Sequence, residues 1–389
     1  MRVLPSWLTV ALTICLAPPV AVAALAGPAP AHPAHPAHLP GHTELTAHTA
    51  HGDPTADSMG AAGSMNRLRQ YADRGAKQVP VPAEAQAVDT SNPARWVGTG
   101  TPQSCTSKAV VRAVKRGGII RFRCGPDPVT IAMKATAKVV NTSRRVVLDG
   151  EGLVTLSGQG ERRILYMNTC DPAQIWTTSH YQDQATTRLT LQNLRFVKGN
   201  STGETYEGGG GGAVFVRGGR LKIVDSEFVG NRCDRKGPDL GGAAVRALSQ
   251  FHNLPVYVVG STFKNGVCSN GGALSSIGVS WSVYNSVFTG NRAVGHGANP
   301  ARRGTKGGGS GGAIYNDGDD FRLLVAGTTM TGNHANEGGG AIFYVSNDRS
   351  STMKITWSTL KDNPSDRFET QPGIYFLGGG RTITHSIVR

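Results

Sequence analysis

Short segments in which apolar and polar residues alternate recur through the second half of the chain. The clearest are residues 221–228, 256–263, 281–288 and 353–360, each rich in β-branched side chains and ending on phenylalanine or leucine. Alternation with a period of two predicts β-strands with one buried face. Because no segment of helical periodicity separates them, we do not expect a solenoid built from helices.

A Gly-Gly-Ala tripeptide follows these segments and recurs about every 30 residues, with one longer gap. Its copies occupy residues 211–213, 241–243, 271–273, 311–313 and 339–341. A propeller blade needs about 40 residues and four strands, whereas each repeat here holds two or three short strands. The repeat therefore predicts one coil of an all-β parallel β-helix, in which equal positions of successive coils stack.

An asparagine follows the last apolar residue of most segments by two or three positions. Asparagine tolerates the left-handed backbone region and bonds to backbone groups in turns. We therefore expect one column of side chains at a repeated corner, formed by Asn231, Asn265, Asn291, Asn333 and Asn363. The paired glycines permit positive φ and close backbone approach, which is a structural role.

Phe-x-x-Asn followed by Gly-Gly-Ala-Ile resembles the repeat of the polymorphic outer membrane proteins. The resemblance is clearest at residues 288–291 with 311–314, and at 339–342. Residues 104–389 as a whole resemble the pectate-lyase-like superfamily, which implies a right-handed parallel β-helix. In pectate lyases an arginine is the base and acidic residues hold Ca²⁺, but no motif here matches theirs. The resemblance therefore specifies the fold and assigns no catalytic position.

Residues 104–124 predict an N-terminal cap for this solenoid. A Ser/Thr start, an apolar face and a Gly-Gly stop indicate a helix, and a strand follows at residues 119–122. A solenoid needs such an element to cover the exposed core and the unpaired strand edges at its end.

The first hundred residues predict export. Residues 1–26 have the charge, apolar run and small-residue cleavage pattern of a secretory signal, and no later stretch is apolar enough to span a membrane. Residues 27–103 are a linker and an irregular segment rich in proline, histidine and alanine. Residues 27–60, which hold six histidines, are expected to be a spacer, and weak Zn or Cu capture by these histidines is the alternative.

The net charge of +14 and a pI of about 9.8 favour an anionic partner. An anionic polysaccharide or cell-surface glycan fits an extracellular protein. Nucleic acid is not expected, because export removes the chain from it and no binding motif for it is present.

Five cysteines remain after the signal segment, and export implies an oxidising compartment. Cys105 and Cys124 flank the predicted cap helix and first strand. Cys233 and Cys268 fall at equal positions of successive coils, at a spacing that suits a disulfide. These two pairs would leave Cys170 free or paired outside the chain, with a catalytic thiol as a further alternative.

Charged residues cluster in two kinds of loop. Loops between the asparagine and Gly-Gly-Ala should stack into one lip. A β-eliminating lyase on a uronate glycan needs a base and a group that neutralises the carboxylate, and the proposed catalytic residues are Asp234, Arg235, Lys236 and His296. The proposed substrate-binding residues are Glu204, Glu207, Asp239, Arg302 and Arg303.

A second cluster follows the fourth Gly-Gly-Ala. Asp317, Asp319 and Asp320 resemble a carboxylate set for Ca²⁺ or for glycoside hydrolysis, and a solvated turn is the plainer interpretation. Ca²⁺ is accordingly a candidate cofactor. We therefore hold two functional hypotheses: a secreted protein that binds an anionic polysaccharide and cleaves it as a lyase or hydrolase, and a non-catalytic surface or adhesion protein.

Overall fold

The computed structural model describes residues 76–175, 183–204 and 209–389. The predicted signal segment, the histidine-rich spacer and Glu207 lie outside these residues. Within the described ranges one α-helix, α1 (Ser107–Arg116), follows the first strand and precedes a long series of further parallel strands, and the strands are numbered along the chain. The expected fold class, an all-β parallel β-helix with an N-terminal helix, is confirmed.

The strands form three walls, and each coil passes through the three in order. Wall 1 contains β1 (Arg95–Val97), β2 (Gly118–Phe122), β9 (Arg220–Val224), β12 (Val256–Val259), β16 (Trp281–Tyr284), β20 (Arg322–Ala326), β24 (Thr352–Thr356) and β27 (Gly380–Thr384). Wall 2 contains β3 (Val129–Ala132), β10 (Glu227–Val229), β13 (Thr262–Lys264), β17 (Val287–Thr289), β21 (Thr329–Thr331), β25 (Thr359–Lys361) and β28 (Ile387–Val388).

Two long strands turn the corner and belong to both of these walls. They are β5 (Arg145–Ser157) and β7 (Arg188–Val197), and their register shifts between Asp149 and Val154. Wall 3 contains β4 (Ala137–Lys138), β6 (Leu165–Asn168), β8 (Val214–Arg217), β11 (Val245–Leu248), β15 (Leu274–Ile277), β19 (Ile314–Gly318), β23 (Ile342–Ser346) and β26 (Ile374–Leu377). Three short strands between walls 2 and 3 are β14 (Val267–Cys268), β18 (Arg292–Ala293) and β22 (His334–Ala335).

The core is a set of stacked columns, because the named strands all pair in parallel and equal positions of successive coils align. On wall 2 the buried rings of Phe196, Phe228, Phe263 and Phe288 stack with centroid separations of 4.8, 4.9 and 4.7 Å. Stacked pairs of this kind each contribute about 0.5–1.5 kcal/mol beyond burial. The alternating segments thus place one aromatic side chain of each coil on the next.

A ladder of hydroxyl groups fixes the corner between walls 1 and 2. In each coil the backbone N–H of a buried serine or threonine donates to the hydroxyl of the equivalent residue in the next coil, at 3.0–3.3 Å. The members are Ser226, Ser261, Ser286, Thr328, Ser358 and Ser386. Because the chain leaves the sheet here, these hydroxyls supply the acceptors that the backbone would otherwise lack.

The asparagine column lies at the far end of wall 2, three residues after the buried apolar residue of each strand, such as Phe288, Met330 or Leu360. Asn291 donates to Asn333 and Asn333 to Asn363, both at 2.8 Å. The expectation for Asn265 is wrong: it adopts φ 56° and is exposed, and Gly266 occupies the column position, where its N–H donates to Asn291.

The two glycines of the Gly-Gly-Ala repeat are required for different structural reasons, as the fourth copy shows. Gly311 has φ +72°, a conformation that side chains rarely adopt. A Cβ on Gly312 would lie 2.1 Å from the carbonyl oxygen of Gly340 in the next coil. The repeat thus marks a turn followed by a close approach between coils.

The N-terminal helix packs on β1, β2 and β4 and so covers the ends of walls 1 and 3. Thr106 caps it by accepting from the Ala109 N–H, and it stops at Gly117, whose φ is 66°. The Cys105–Cys124 disulfide joins the start of the helix to the end of β2, and Cys233–Cys268 joins two coils with a Cα separation of 4.8 Å. Both predicted disulfides are confirmed.

Cys170 differs from expectation, since it is disulfide-bonded and no cysteine of the described residues is free. A free catalytic thiol at this position is therefore wrong. No helix in the described part of the chain is long and apolar enough to cross a membrane.

Residues 77–94, here called the strap, run back along the corner between walls 1 and 2. Lys77 lies over the Trp357 ring, Val79 forms a double hydrogen bond with Asn285, and Val88 forms another with Gln192. The strap then leads into β1, so the first strand of wall 1 precedes the boundary expected at residue 104.

Candidate functional site

Two long loops meet on the side of the solenoid between walls 2 and 3. They are residues 233–240 and 294–309, and together they are called the basic lip. The Gly237 N–H donates to the Gly307 carbonyl at 3.2 Å, and a Cβ on Gly307 would lie 3.0 Å from Pro238. The expected stacking of loops from equal repeat positions is observed for this pair.

The lip lies beside the outward face of wall 3. The register aligns one outward-facing residue from each coil, and these side chains are nevertheless buried: Phe215, Arg246, Ser275, Tyr315 and Phe343. Polar groups on an outward face that is covered in this way are shielded from water, and this shielding shifts their pKa values.

Two carboxylates meet at the junction of lip and wall. The side-chain amide nitrogen of Asn299 lies 2.8 Å from Asp239 Oδ1, 3.1 Å from Asp317 Oδ2 and 3.0 Å from the Tyr315 hydroxyl. Tyr315 itself donates to Asp317 at 2.9 Å. Because the amide carries two hydrogens, it can serve two of these three acceptors at once, so the four groups form one coupled network.

The two carboxylates of this network differ in their exposure to solvent. Asp239 is exposed, whereas Asp317 is partly covered. Burial raises the pKa of the Asp317 carboxyl, and the nearby Asp239 raises it further against the hydrogen bonds from Tyr315 and Gly318. A carboxyl with a raised pKa beside an exposed carboxylate is the combination used for general acid–base chemistry.

Arg246 lies beneath this network with almost no exposure to solvent. Its guanidinium donates to the Ser275 hydroxyl at 3.1 Å, and its Nε has no hydrogen-bond partner within the described residues. Burial lowers the pKa of Arg246 to about 10, opposed by Asp239 and Tyr315. This cation balances part of the charge of the carboxylates above it.

Arg302 and Glu337 form a second, structural contact in the lip. Glu337 is fully buried and accepts two bonds of 2.7 Å from Arg302 and one of 2.8 Å from the Gly297 N–H. Although burial disfavours its ionisation, these bonds hold the pKa of Glu337 below its usual value. This contact ties residues 294–309 to the next coil, so Arg302 is engaged within the protein.

The proposed catalytic residues bond to different parts of the chain. The Asp234 carboxylate accepts from the Gly203 N–H at 3.1 Å, and His296 Nε2 contacts the Asn336 amide at 3.1 Å. Arg235 and Lys236 are exposed beside Gly237. The four lie in or next to the lip, but the contacts of Asp234 and His296 do not join them to each other.

The proposed substrate-binding residues also make separate contacts and do not form one group. Asp239 belongs to the carboxylate network, Arg302 is paired with Glu337, and Arg303 is exposed. Glu204 lies on the neighbouring coil, 3.6 Å from the buried Arg163.

The three aspartates proposed for Ca²⁺ do not converge. Asp317 faces Asn299 and Tyr315, whereas Asp319 and Asp320 are exposed in the turn that follows. Among the described residues no group of three His, Cys, Asp or Glu side chains could hold a metal ion. The geometry therefore gives no support to a metal site at this turn.

Four cations of the lip are exposed and form no ion pair with any described residue: Arg235, Lys236, Arg303 and Lys306. Lys236 and Lys306 immediately precede the hydrogen-bonded Gly237 and Gly307, so the two loops bring their charges to one edge. The acidic groups nearby accept bonds from an amide, a backbone N–H or Arg302.

Asn299 and Tyr315, which organise this network, were not among the predicted site residues. Tyr315 follows the core residue Ile314, so the alternation of wall 3 identifies it as facing outward. Asn299 lies in the longest gap between repeats and has no pattern of its own, because its role depends on a loop folding onto another coil.

The fold and these loops define a β-helical protein with one elaborated side. The profile of the Chlamydia polymorphic membrane protein (Chlamydia_PMP) repeat matches residues 285–317 and 327–344, which confirms the resemblance of these repeats. No curated protein and no solved structure matches the chain. The relation to the pectate-lyase-like superfamily stays a prediction.

Proposed function

We propose that this chain is an exported β-helix protein that binds an anionic polysaccharide along the basic lip. The observation that carries the proposal is the set of four exposed cations on two touching loops, Arg235, Lys236, Arg303 and Lys306, without an acidic partner in the described residues. Exposed charges of one sign attract a polyanion and raise its local concentration.

Export and a surface location are part of the same proposal. The Cys105–Cys124 and Cys233–Cys268 disulfides suit an oxidising compartment, and the matching repeat takes its name from membrane proteins of Chlamydia. In a solenoid the loops of successive coils line one side, which suits a long polymer better than a compact ligand.

Binding to polygalacturonate, measured by calorimetry at several salt concentrations, tests the proposal. The variant Arg235→Glu/Lys236→Glu/Arg303→Glu/Lys306→Glu should bind about tenfold or more weakly, and wild-type affinity should fall steeply as salt is added. The matched control changes four exposed cations elsewhere: Lys198→Glu, Lys264→Glu, Arg322→Glu and Lys354→Glu. Equal losses in both variants would show that only net charge matters and would overturn the assignment to the lip.

Cleavage is a second candidate function, and the Asp239–Asp317 pair is the observation that favours it. Burial raises the pKa of Asp317 beside the exposed Asp239, so the pair can supply an acid and a base to a glycosidic bond. Release of reducing ends that is lost in both Asp317→Asn and Asp239→Asn would support a hydrolase. An unsaturated product detected by absorbance, lost in Arg235→Ala, would instead support the lyase hypothesis.

Binding without either product would favour the adhesion alternative. In that case the carboxylate network would hold the loops in place, and both asparagine variants would change stability while leaving glycan affinity intact.

A further inference from the structure

A groove opens at the N-terminal end of the solenoid, beside helix α1. It is a cavity of about 790 Å³ between helix α1 and strand β3, within the size range of ligand sites. Its floor is apolar and is formed by Val111, Ile131, Ala132 and Ala135.

Strand β3 presents an open edge to this groove. It is the first strand of wall 2, and in the described residues it pairs only with β5. Helix α1 covers the ends of walls 1 and 3, where it packs on β1, β2 and β4. Wall 2 is therefore the wall whose first strand the helix leaves uncovered.

The direction of the free backbone groups follows from the pairing. Neighbouring residues of a strand direct their N–H and C=O groups to opposite sides. The Met133 N–H donates to Ser157 on the β5 side, and the Lys134 N–H donates to the Ser107 hydroxyl on the helix side. Thr130 and Ala132 share the direction of Lys134, so their N–H and C=O groups point into the groove.

The rim of the groove is basic. Lys108, Arg112 and Lys115 lie on one face of α1, and Lys134 lies opposite them. None of these four side chains forms an ion pair with a residue in the described part of the chain.

We propose that the groove binds an extended acidic peptide of a partner protein, which adds as a strand to the free edge of β3. Backbone bonds to Thr130 and Ala132 would continue wall 2, apolar side chains would face the floor, and acidic side chains would meet the rim. An anionic lipid satisfies the floor and the rim, but its acyl chain would bury the polar groups of Thr130 and Ala132 without partners, which is costly.

Fluorescence anisotropy with the full-length protein and two labelled probes tests this. One probe alternates valine with aspartate, and its matched control alternates valine with lysine. The aspartate peptide should bind about tenfold or more tightly, and the double variant Lys108→Glu/Arg112→Glu, whose rim carries two positive and two negative charges, should lose this preference. Equal binding of the two peptides, or binding of a fluorescent fatty acid in preference to both, would overturn the proposal.

A backbone variant isolates the strand addition from the charge. Ala132→Pro removes the N–H that points into the groove and leaves the β3–β5 bonds, which use the alternate residues, in place. It should reduce aspartate-peptide affinity about tenfold while circular dichroism and Tm stay near wild type. If circular dichroism shows misfolding, the loss of preference in Lys108→Glu/Arg112→Glu decides alone. Unchanged affinity in a folded Ala132→Pro protein would contradict strand addition.

The four-residue lip variant provides the remaining control. It should bind the aspartate peptide as wild type does, because the groove and the lip are separate surfaces. Failure of glycan binding and failure of peptide binding are thus distinguishable outcomes.

Discussion

The strap and the basic lip both lie on the outside of the same solenoid, but they differ in how their polar groups are paired. The polar groups along the strap bond to each other, whereas cations of the lip stay without an acidic partner in the described residues. Along the strap, Asp149 accepts from Thr90, Gln192 and Asn193, and Asn285 and Gln192 each bond twice to the strap backbone. At the lip, four exposed cations have no acidic partner among the described residues. We infer that the contacts of the strap stabilise the fold and that the lip is available to a ligand.

The comparison also separates residues that look alike in sequence. Arg302 and Arg303 are adjacent, and both were candidates for substrate binding. Arg302 neutralises the buried Glu337, whereas Arg303 projects from the turn. A charged side chain in a loop therefore indicates ligand contact only where it is not already paired with another group of the protein.

The largest expected effect is at the strap. Asp149→Ala removes a buried carboxylate that accepts several hydrogen bonds, and should reduce the free energy of unfolding by about 3 kcal/mol. Urea denaturation measures this, and glycan affinity should stay unchanged. Asp127→Ala, at an exposed aspartate, is the control. Equal stability of the two variants would mean that the strap is not held through Asp149.

A smaller loss is expected at the buried acid of the lip. Glu337→Gln keeps the shape and removes the charge that holds Arg302, which should cost about 1–3 kcal/mol. Arg302→Ala should lower Tm in the same direction and Arg303→Ala should leave it unchanged. In a binding assay the ranking should invert, with Arg303→Ala the more damaging. Identical behaviour of the two arginines in either assay would remove the distinction.

Acid should act on both regions through their ionised carboxylates. The pKa values of Asp149 and Glu337 are lowered in the folded protein, by hydrogen bonds that outweigh burial. Their stabilisation is thus fully present above the unfolded pKa, about 4, and is lost as pH falls through the folded values. Tm measured from pH 7 to 2 should fall below about pH 4, and less steeply in Asp149→Asn. An identical slope in that variant would assign the acid sensitivity elsewhere.

The features that recur in every coil could be predicted from the sequence. Alternation, Gly-Gly-Ala and the Cys233–Cys268 pair each reflect a contact with the equivalent position of the next coil, so a single column explains them. Asn265 misled because the glycine beside it, Gly266, occupies the column. The strap was not predictable, since Val79 meets a partner 206 residues away and its segment has no periodicity.

The site was predictable only as a set of loops. The residues proposed as one catalytic group bond separately to Gly203 and Asn336, whereas Asp239 and Asp317, which were assigned to different roles, share Asn299. Which loop folds onto which wall is decided by single tertiary contacts, and these leave no trace in spacing.

Amide hydrogen exchange with and without polygalacturonate tests the division between the two regions most directly. The account predicts new protection in residues 233–240 and 294–309, with none in residues 77–94. Protection that spreads equally to the strap, or binding without any protection of these two loops, would contradict it.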